Sequence, residues 1–125
     1  MPDRNSGGAR QEFQFYGRRK GRPLRKGRRS LYETLLPRLL VELPGNAALD
    51  PAMLFEPRLR AVWLEIGFGG GEHFAAQAAA HPDIGCIGCE VFESGIASAL
   101  SHIAARDLRN VRIFPDDARD LLAAL

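Results

Sequence analysis

The stretch Val62-Trp63-Leu64-Glu65-Ile66-Gly67-Phe68-Gly69-Gly70-Gly71-Glu72 constrains the fold more than any other part of this chain. An apolar run this short, closed by glycines, predicts a β-strand that ends in a sharp turn. Trp63, Leu64 and Ile66 suit a strand covered on both faces, as parallel strands are. The glycines permit positive φ and close backbone approach to a ligand. Phe74, Ala75 and Ala78 then recur at helical spacing as far as the stop at His81-Pro82. A strand, glycine turn and helix in this order form a ligand pocket, and free amides at the helix start favour an anionic group.

The spacing of the glycines discriminates between ligands. A dinucleotide fingerprint reads G-x-G-x-x-G or A; Gly67 and Gly69 fit its first two places, but the third falls on Glu72. A carboxylate there is too bulky for helix–strand packing and repels a pyrophosphate. The pattern present, E-x-G-x-G-x-G from Glu65 to Gly71, resembles motif I of class I methyltransferases that use S-adenosyl-L-methionine. That cofactor carries a positive sulfonium and amino group and no phosphate, so a carboxylate at the strand end suits it.

Two further carboxylates follow at equivalent places. Ile84 to Val91 reads as a second short buried strand with Glu90 at its tip, where a carboxylate can accept from both ribose hydroxyls. This serves S-adenosylmethionine and NAD alike. A helix from about Ser94, its expected N-cap, to Ala105 presents Ile96, Leu100 and Ile103 on one face and leads to a third strand, Asn110 to Phe114. Asp116 and Asp117 come next, before an amphipathic helix with Ala118, Leu121, Leu122 and Leu125. One aspartate can accept from an adenine amino group while the other caps the helix; Asp117 is assigned the adenine. The series predicts an α/β, Rossmann-like fold of about three parallel strands in order 3-2-1 with flanking helices. Its ligand is expected at the carboxyl ends of the strands.

Charge divides the chain. Residues 1 to 30 hold ten Lys or Arg against two acidic residues, hence +8, and residues 31 to 125 hold seven against thirteen, hence −6. Arg18, Arg19, Lys20, Arg22, Arg25, Lys26, Arg28 and Arg29 crowd into twelve positions, with Gly17, Gly21, Pro23 and Gly27 opposing a regular helix. A flexible basic arm (1–30) preceded by Phe13, Phe15 and Tyr16 suits RNA phosphates and bases. Residues 31–60 form a lead-in, with a helix from about Ser30 to Leu40, kinked at Pro37, and with Leu54 and Phe55 set against the core. Residues 61–125 form the ligand-binding unit. Nothing resembles a membrane span or a signal sequence, so the cytoplasm is expected.

Cys86-Ile87-Gly88-Cys89 copies metal and redox spacing, but a second ligand pair is missing and the pair lies inside a strand. No metal is expected, and both thiols read as core residues. His73, His81 and His102 accompany no nucleophile motif.

Taken together, these residues resemble the bacterial tRNA guanine-N7 methyltransferases. Phe15 to Arg25 is similar to that family's basic lead-in, Trp63 to His73 to its cofactor motif, and His81 to Ile84, Gly88 to Val91, Asn110 to Arg112 and Asp117-Ala118 follow in order. The resemblance implies methyl transfer from S-adenosylmethionine to a guanine in the tRNA variable loop, with Glu65, Gly67, Gly69, Gly71, Glu90 and Asp117 around the cofactor. The family pattern continues into a fourth strand and a Pro-Asp-Pro-Trp motif. Neither occurs here, so the chain corresponds to the N-terminal part and carries over no catalytic residue. An NAD-linked oxidoreductase fragment and a non-enzymatic RNA-binding module are the rival readings.

Overall fold

Ile84-Gly85-Cys86-Ile87-Gly88-Cys89 has no polar side chain, and in the computed structural model, which describes residues 24–125, all six of these residues are buried. They form the middle strand of a three-stranded parallel sheet. The strands are β1 (Ala61–Ile66), β2 (Ile84–Cys89) and β3 (Val111–Phe114), in the expected order, with Ile66 level with Cys89 and Cys89 level with Phe114. The strand ends therefore share one rim.

Helices cover the sheet: α1 (Lys26–Thr34), α2 (Leu36–Leu39), α3 (Glu72–Ala80), α4 (Glu93–Ala105) and α5 (Ala118–Ala124), with a 3-10 turn at Pro51–Leu54. One face of the sheet packs Phe74, Ile96, Leu100, Ile103 and Ile113 into a core. The other packs Val41, Phe55, Ile87, Phe114 and Leu121, and Phe55 is buried as expected. Cys86 belongs to the first cluster and Cys89 to the second, so the two thiols lie on opposite faces and cannot share a metal or form a disulfide.

Four expectations need correction. Trp63 and Ile66 are not covered: they are 42% and 56% exposed, because β1 is the edge of the described sheet and pairs only with β2. The N-terminal helix begins at Lys26, not Ser30, and Gly27 lies inside it, its cost of about 1 kcal/mol offset by good helix formers around it. It stops at Thr34 because Pro37 has no N–H and its ring crowds the preceding turn; the chain restarts as α2 with Pro37 in the first turn. The helix after β2 starts at Glu93, with Phe92 and not Ser94 at the N-cap. Arg18, Arg19, Lys20 and Arg22 lie outside the described residues.

The lead-in is tied to the sheet at its far side. Leu40 bridges Ile113 in parallel fashion, and the Val41 N–H donates to the Ile113 carbonyl at 2.9 Å. The base of the sheet is tied by Asn110, which is buried. Its Nδ2 donates to the carbonyls of Ala78 (3.0 Å), His81 (3.0 Å) and Ile84 (2.8 Å), joining the end of α3 to the start of β2. Asn110→Ala should cost about 2 kcal/mol by leaving buried carbonyls short of a donor. Asn110→Asp should cost more, since it turns a carboxylate toward three carbonyl oxygens. Urea unfolding midpoints of the two variants test this order.

Burial also sets an alkaline limit. It pushes the Cys89 thiol from its ordinary 9.0 to about 11. Burial, with Glu93 nearby as a second cause, pushes the Tyr32 phenol from 10.0 to about 12. Both are raised in the folded state, so their stabilisation is complete below the unfolded values and is lost as pH climbs from about 9 toward 12. The urea midpoint should hold between pH 7 and 8.5 and fall by pH 11; Cys89→Ala should lessen the early part of that fall.

Candidate functional site

The rim where the strands end is built around the turn from β1 into α3. Gly67, Gly69 and Gly71 have φ of +71°, +61° and +82°, a region glycine enters without strain. The N–H groups of Gly67 and Phe68 both point to the Cys89 carbonyl, at 2.8 and 3.4 Å, so the turn begins as a continuation of the β1–β2 ladder. Nothing lies within 4 Å of where a side chain at Gly67 or Gly69 would start, and both are exposed. Gly71 is different: a Cβ there would meet the Cβ and Cα of Ala99 at 2.4 and 2.7 Å. Gly71 thus lets α3 close on α4, the packing role of a third fingerprint glycine, whereas Gly67 and Gly69 leave room for a ligand.

The three predicted carboxylates stand on this rim but in different circumstances. Glu65, half-buried on β1, makes no hydrogen bond or ion pair with a described residue; it lines a cavity of about 480 Å³ with Trp63, His73, Phe74 and Gln77. Glu90, just past β2, is buried and engaged. Its Oε1 accepts from the Gly69 N–H at 2.8 Å, and its Oε2 accepts from the N–H groups of Val91 (3.1 Å) and Phe92 (3.3 Å). The expectation that both oxygens stand ready for a ribose therefore meets a carboxylate with three donors already in place.

Asp117 caps α5, accepting from the Arg119 N–H at 2.9 Å, and Arg119 closes on its Oδ2 at 2.6 Å. The cap thus falls on the aspartate that had been assigned the adenine. Asp116 accepts from the Asp117 N–H at 2.8 Å. The cause is local: an aspartate immediately before the first helical residue reaches the free amides of the first turn.

Sequence reasoning missed Gly95, in the first turn of α4. A Cβ there would meet the Gly69 carbonyl oxygen at 2.4 Å, so the glycine turn rests directly on the backbone of α4. A glycine inside a helix is about 1 kcal/mol worse than alanine, and that cost was the available signal.

The basic residues that are described, Arg25, Lys26, Arg28 and Arg29, are all exposed. Leu31, Thr34 and Leu35 share a cavity wall with Ile103, Ala104 and Leu108, toward the end of α4, while Tyr32 feels the charge of Glu93 at its start. After α2 the chain runs parallel to β3 at Leu40. Helix α1 therefore descends beside α4, and its basic start lies toward the rim with the carboxylates.

Comparison with known proteins agrees with this geometry. Residues 60–125 match a family model described as "Putative methyltransferase". The chain belongs to that methyltransferase family. It is 54% identical over 123 residues to the tRNA (guanine-N(7)-)-methyltransferase of Paramagnetospirillum magneticum, which covers 97% of this chain and 52% of the relative. The enzyme of the same name from Rhodospirillum rubrum is 50% identical over 128 residues, covering 100% of this chain and 49% of the relative. One from Rhodopseudomonas palustris is 50% identical over 109 residues, or 87% and 44%. The chain spans about half the length of the curated relatives it matches. Membership of a methyltransferase family implies a methyl donor.

The glycines make separable predictions in this methyltransferase chain. Gly71→Ala combines left-handed strain with overlap against Ala99 and should cost about 2–4 kcal/mol. Gly67→Ala meets open space and should cost only the strain, about 1 kcal/mol, while placing a methyl group where a ligand would lie. Thermal unfolding and ligand titration of both variants distinguish packing from ligand room.

Proposed function

We propose that this chain is the cofactor-binding half of a tRNA (guanine-N7-)-methyltransferase that uses S-adenosyl-L-methionine and acts in the cytoplasm. Among its described residues no helix is long and apolar enough to cross a membrane. The observation that carries the reading is the open, positive-φ turn at Gly67 and Gly69 on a rim bearing Glu65, Glu90 and Asp117. The names of its relatives support tRNA as the substrate.

The donor set fits a cationic nucleoside. Glu65, with no described polar partner, offsets a sulfonium or amino cation; Glu90 takes a ribose hydroxyl; Asp117, beside Asp116, faces the adenine. Glu72, exposed in the first turn of α3, stands where the pyrophosphate of NAD would sit, which disfavours the oxidoreductase reading. Bound, the cofactor supplies an electrophilic methyl group, which guanine N7, bearing a lone pair and no proton, accepts without a general base. The chain's part is then positioning and charge: a fixed turn holds the donor in line, and fixed carboxylates oppose the positive charge that passes to the base.

The arm supplies the RNA contact through Arg18, Arg19, Lys20, Arg22, Arg25, Lys26, Arg28 and Arg29. Calorimetric titration should show S-adenosylhomocysteine binding and no NADH binding. The logarithm of the tRNA affinity should fall with log salt with a slope of about 0.7–0.9 per phosphate contacted. Neutralising Arg18, Arg19, Lys20 and Arg22 together should flatten that slope. NADH binding, or a slope unchanged by the four substitutions, would overturn the cofactor or the arm assignment respectively. Binding of tRNA alone would favour an RNA-binding module.

A further inference from the structure

Glu90 holds more of the rim than a ligand contact requires. The glycine turn rests on Gly95, whose missing side chain admits the Gly69 carbonyl, and is held by the Glu90 carboxylate on the Gly69 N–H at 2.8 Å. The same carboxylate accepts from Val91 and Phe92, so it also shapes the exit of β2 into α4. A carboxylate has about four acceptor positions on its two oxygens. Three are filled by backbone donors, two of them on Oε2.

We infer that Glu90 is a positioning residue: its carboxylate clamps the glycine turn in the open shape, leaving one acceptor position, on Oε1, for a ligand hydroxyl. The choice of glutamate follows from the donors. Every polar group facing its two oxygens is an N–H, so an amide in its place must turn its own NH₂ against a donor whichever way it is flipped. Aspartate keeps the charge and can still reach the nearby Phe92 N–H. It is one methylene too short for Gly69. The assignment of the free position to a ribose hydroxyl rests on the proposed cofactor; the clamp itself does not.

Amide exchange by NMR on the chain without ligand reads the clamp directly. In Glu90→Gln and in Glu90→Asp the Gly69 amide should exchange about tenfold faster or more, as a lost hydrogen bond to a charged acceptor implies. The Cys86 amide, bonded to the Asn110 carbonyl at 2.8 Å, should keep its rate. Gly95→Ala, whose methyl would overlap the Gly69 carbonyl oxygen at 2.4 Å and only touch the Glu90 Cγ at 3.4 Å, should release the same amide. Affinity for S-adenosylhomocysteine should fall about tenfold or more in Glu90→Gln, nearly as far as in Glu90→Ala.

A Gly69 rate unchanged in Glu90→Gln would overturn the clamp. So would faster exchange spread equally to Cys86, because Glu90 would then matter only to general stability. If Gly69 alone is released but no version binds S-adenosylhomocysteine, the clamp stands and the cofactor reading falls.

Discussion

The Cys89 carbonyl is where the sheet becomes a site. It accepts from Gly67 at 2.8 Å and from Phe68 at 3.4 Å, so the last rung between β1 and β2 is also the first bond of the glycine turn. Everything beyond is placed from that rung. Phe68 is carried inward to stack on Phe74 with ring centroids 5.2 Å apart, which anchors the start of α3, and Gly69 is carried outward to meet Glu90. The absence of a side chain at Gly88 matters equally, because a Cβ there would meet the Phe68 ring at 2.6 Å. Buried apolar packing and a backbone turn are therefore one mechanical unit, and the ligand end inherits the rigidity of β2.

The glycines and carboxylates that look alike in sequence divide their work in space. Gly67 and Gly69 border open space, whereas Gly71 and Gly95 admit another backbone or side chain at under 3 Å. Glu65 has no polar partner among the described residues, Glu90 is held by three backbone donors, and Asp117 is shared with a helix cap. A bare carboxylate interacts with a cation at full charge. One already held by backbone donors keeps its charge but is fixed in place, with most of its lone pairs committed. The rim is thus electrostatically graded, with β1 its most available anion.

What could be read from the sequence was whatever had a period or a turn signature. Three apolar runs closed by turn residues foretold the sheet and its order, and the glycine spacing together with Glu72 set the expectation of a methyl donor over a dinucleotide. Coverage was less legible, since Trp63 and Leu64 look equally buried in a sequence, and only pairing on one side of β1 leaves Trp63 exposed. Caps were less legible still. Ser94 has the right side chain for an N-cap, yet the cap falls on Phe92 and α4 starts two residues earlier than a Ser94 cap would set it. Asn110 read as the beginning of a strand, and nothing local shows that its amide serves three carbonyls from the α3–β2 segment, up to 32 residues away.

The direction of α1 resolves a conflict in the charge pattern. A rim bearing Glu65, Glu72, Glu90, Glu93, Asp116 and Asp117 repels a polyanion, and residues 31–125 are net negative overall. A basic segment at the far end of the sheet would not help, because exposed charges are screened beyond about 8–10 Å at ordinary ionic strength. A nine-residue helix spans about 13 Å. Had α1 run the other way, Arg25 to Arg29 would lie about that much farther from the carboxylates. Running down beside α4, it points those cations toward the rim end of the sheet and away from its base. The chain thus separates its charges along one direction, with acidic side chains at the strand ends and a basic helix start that points the same way.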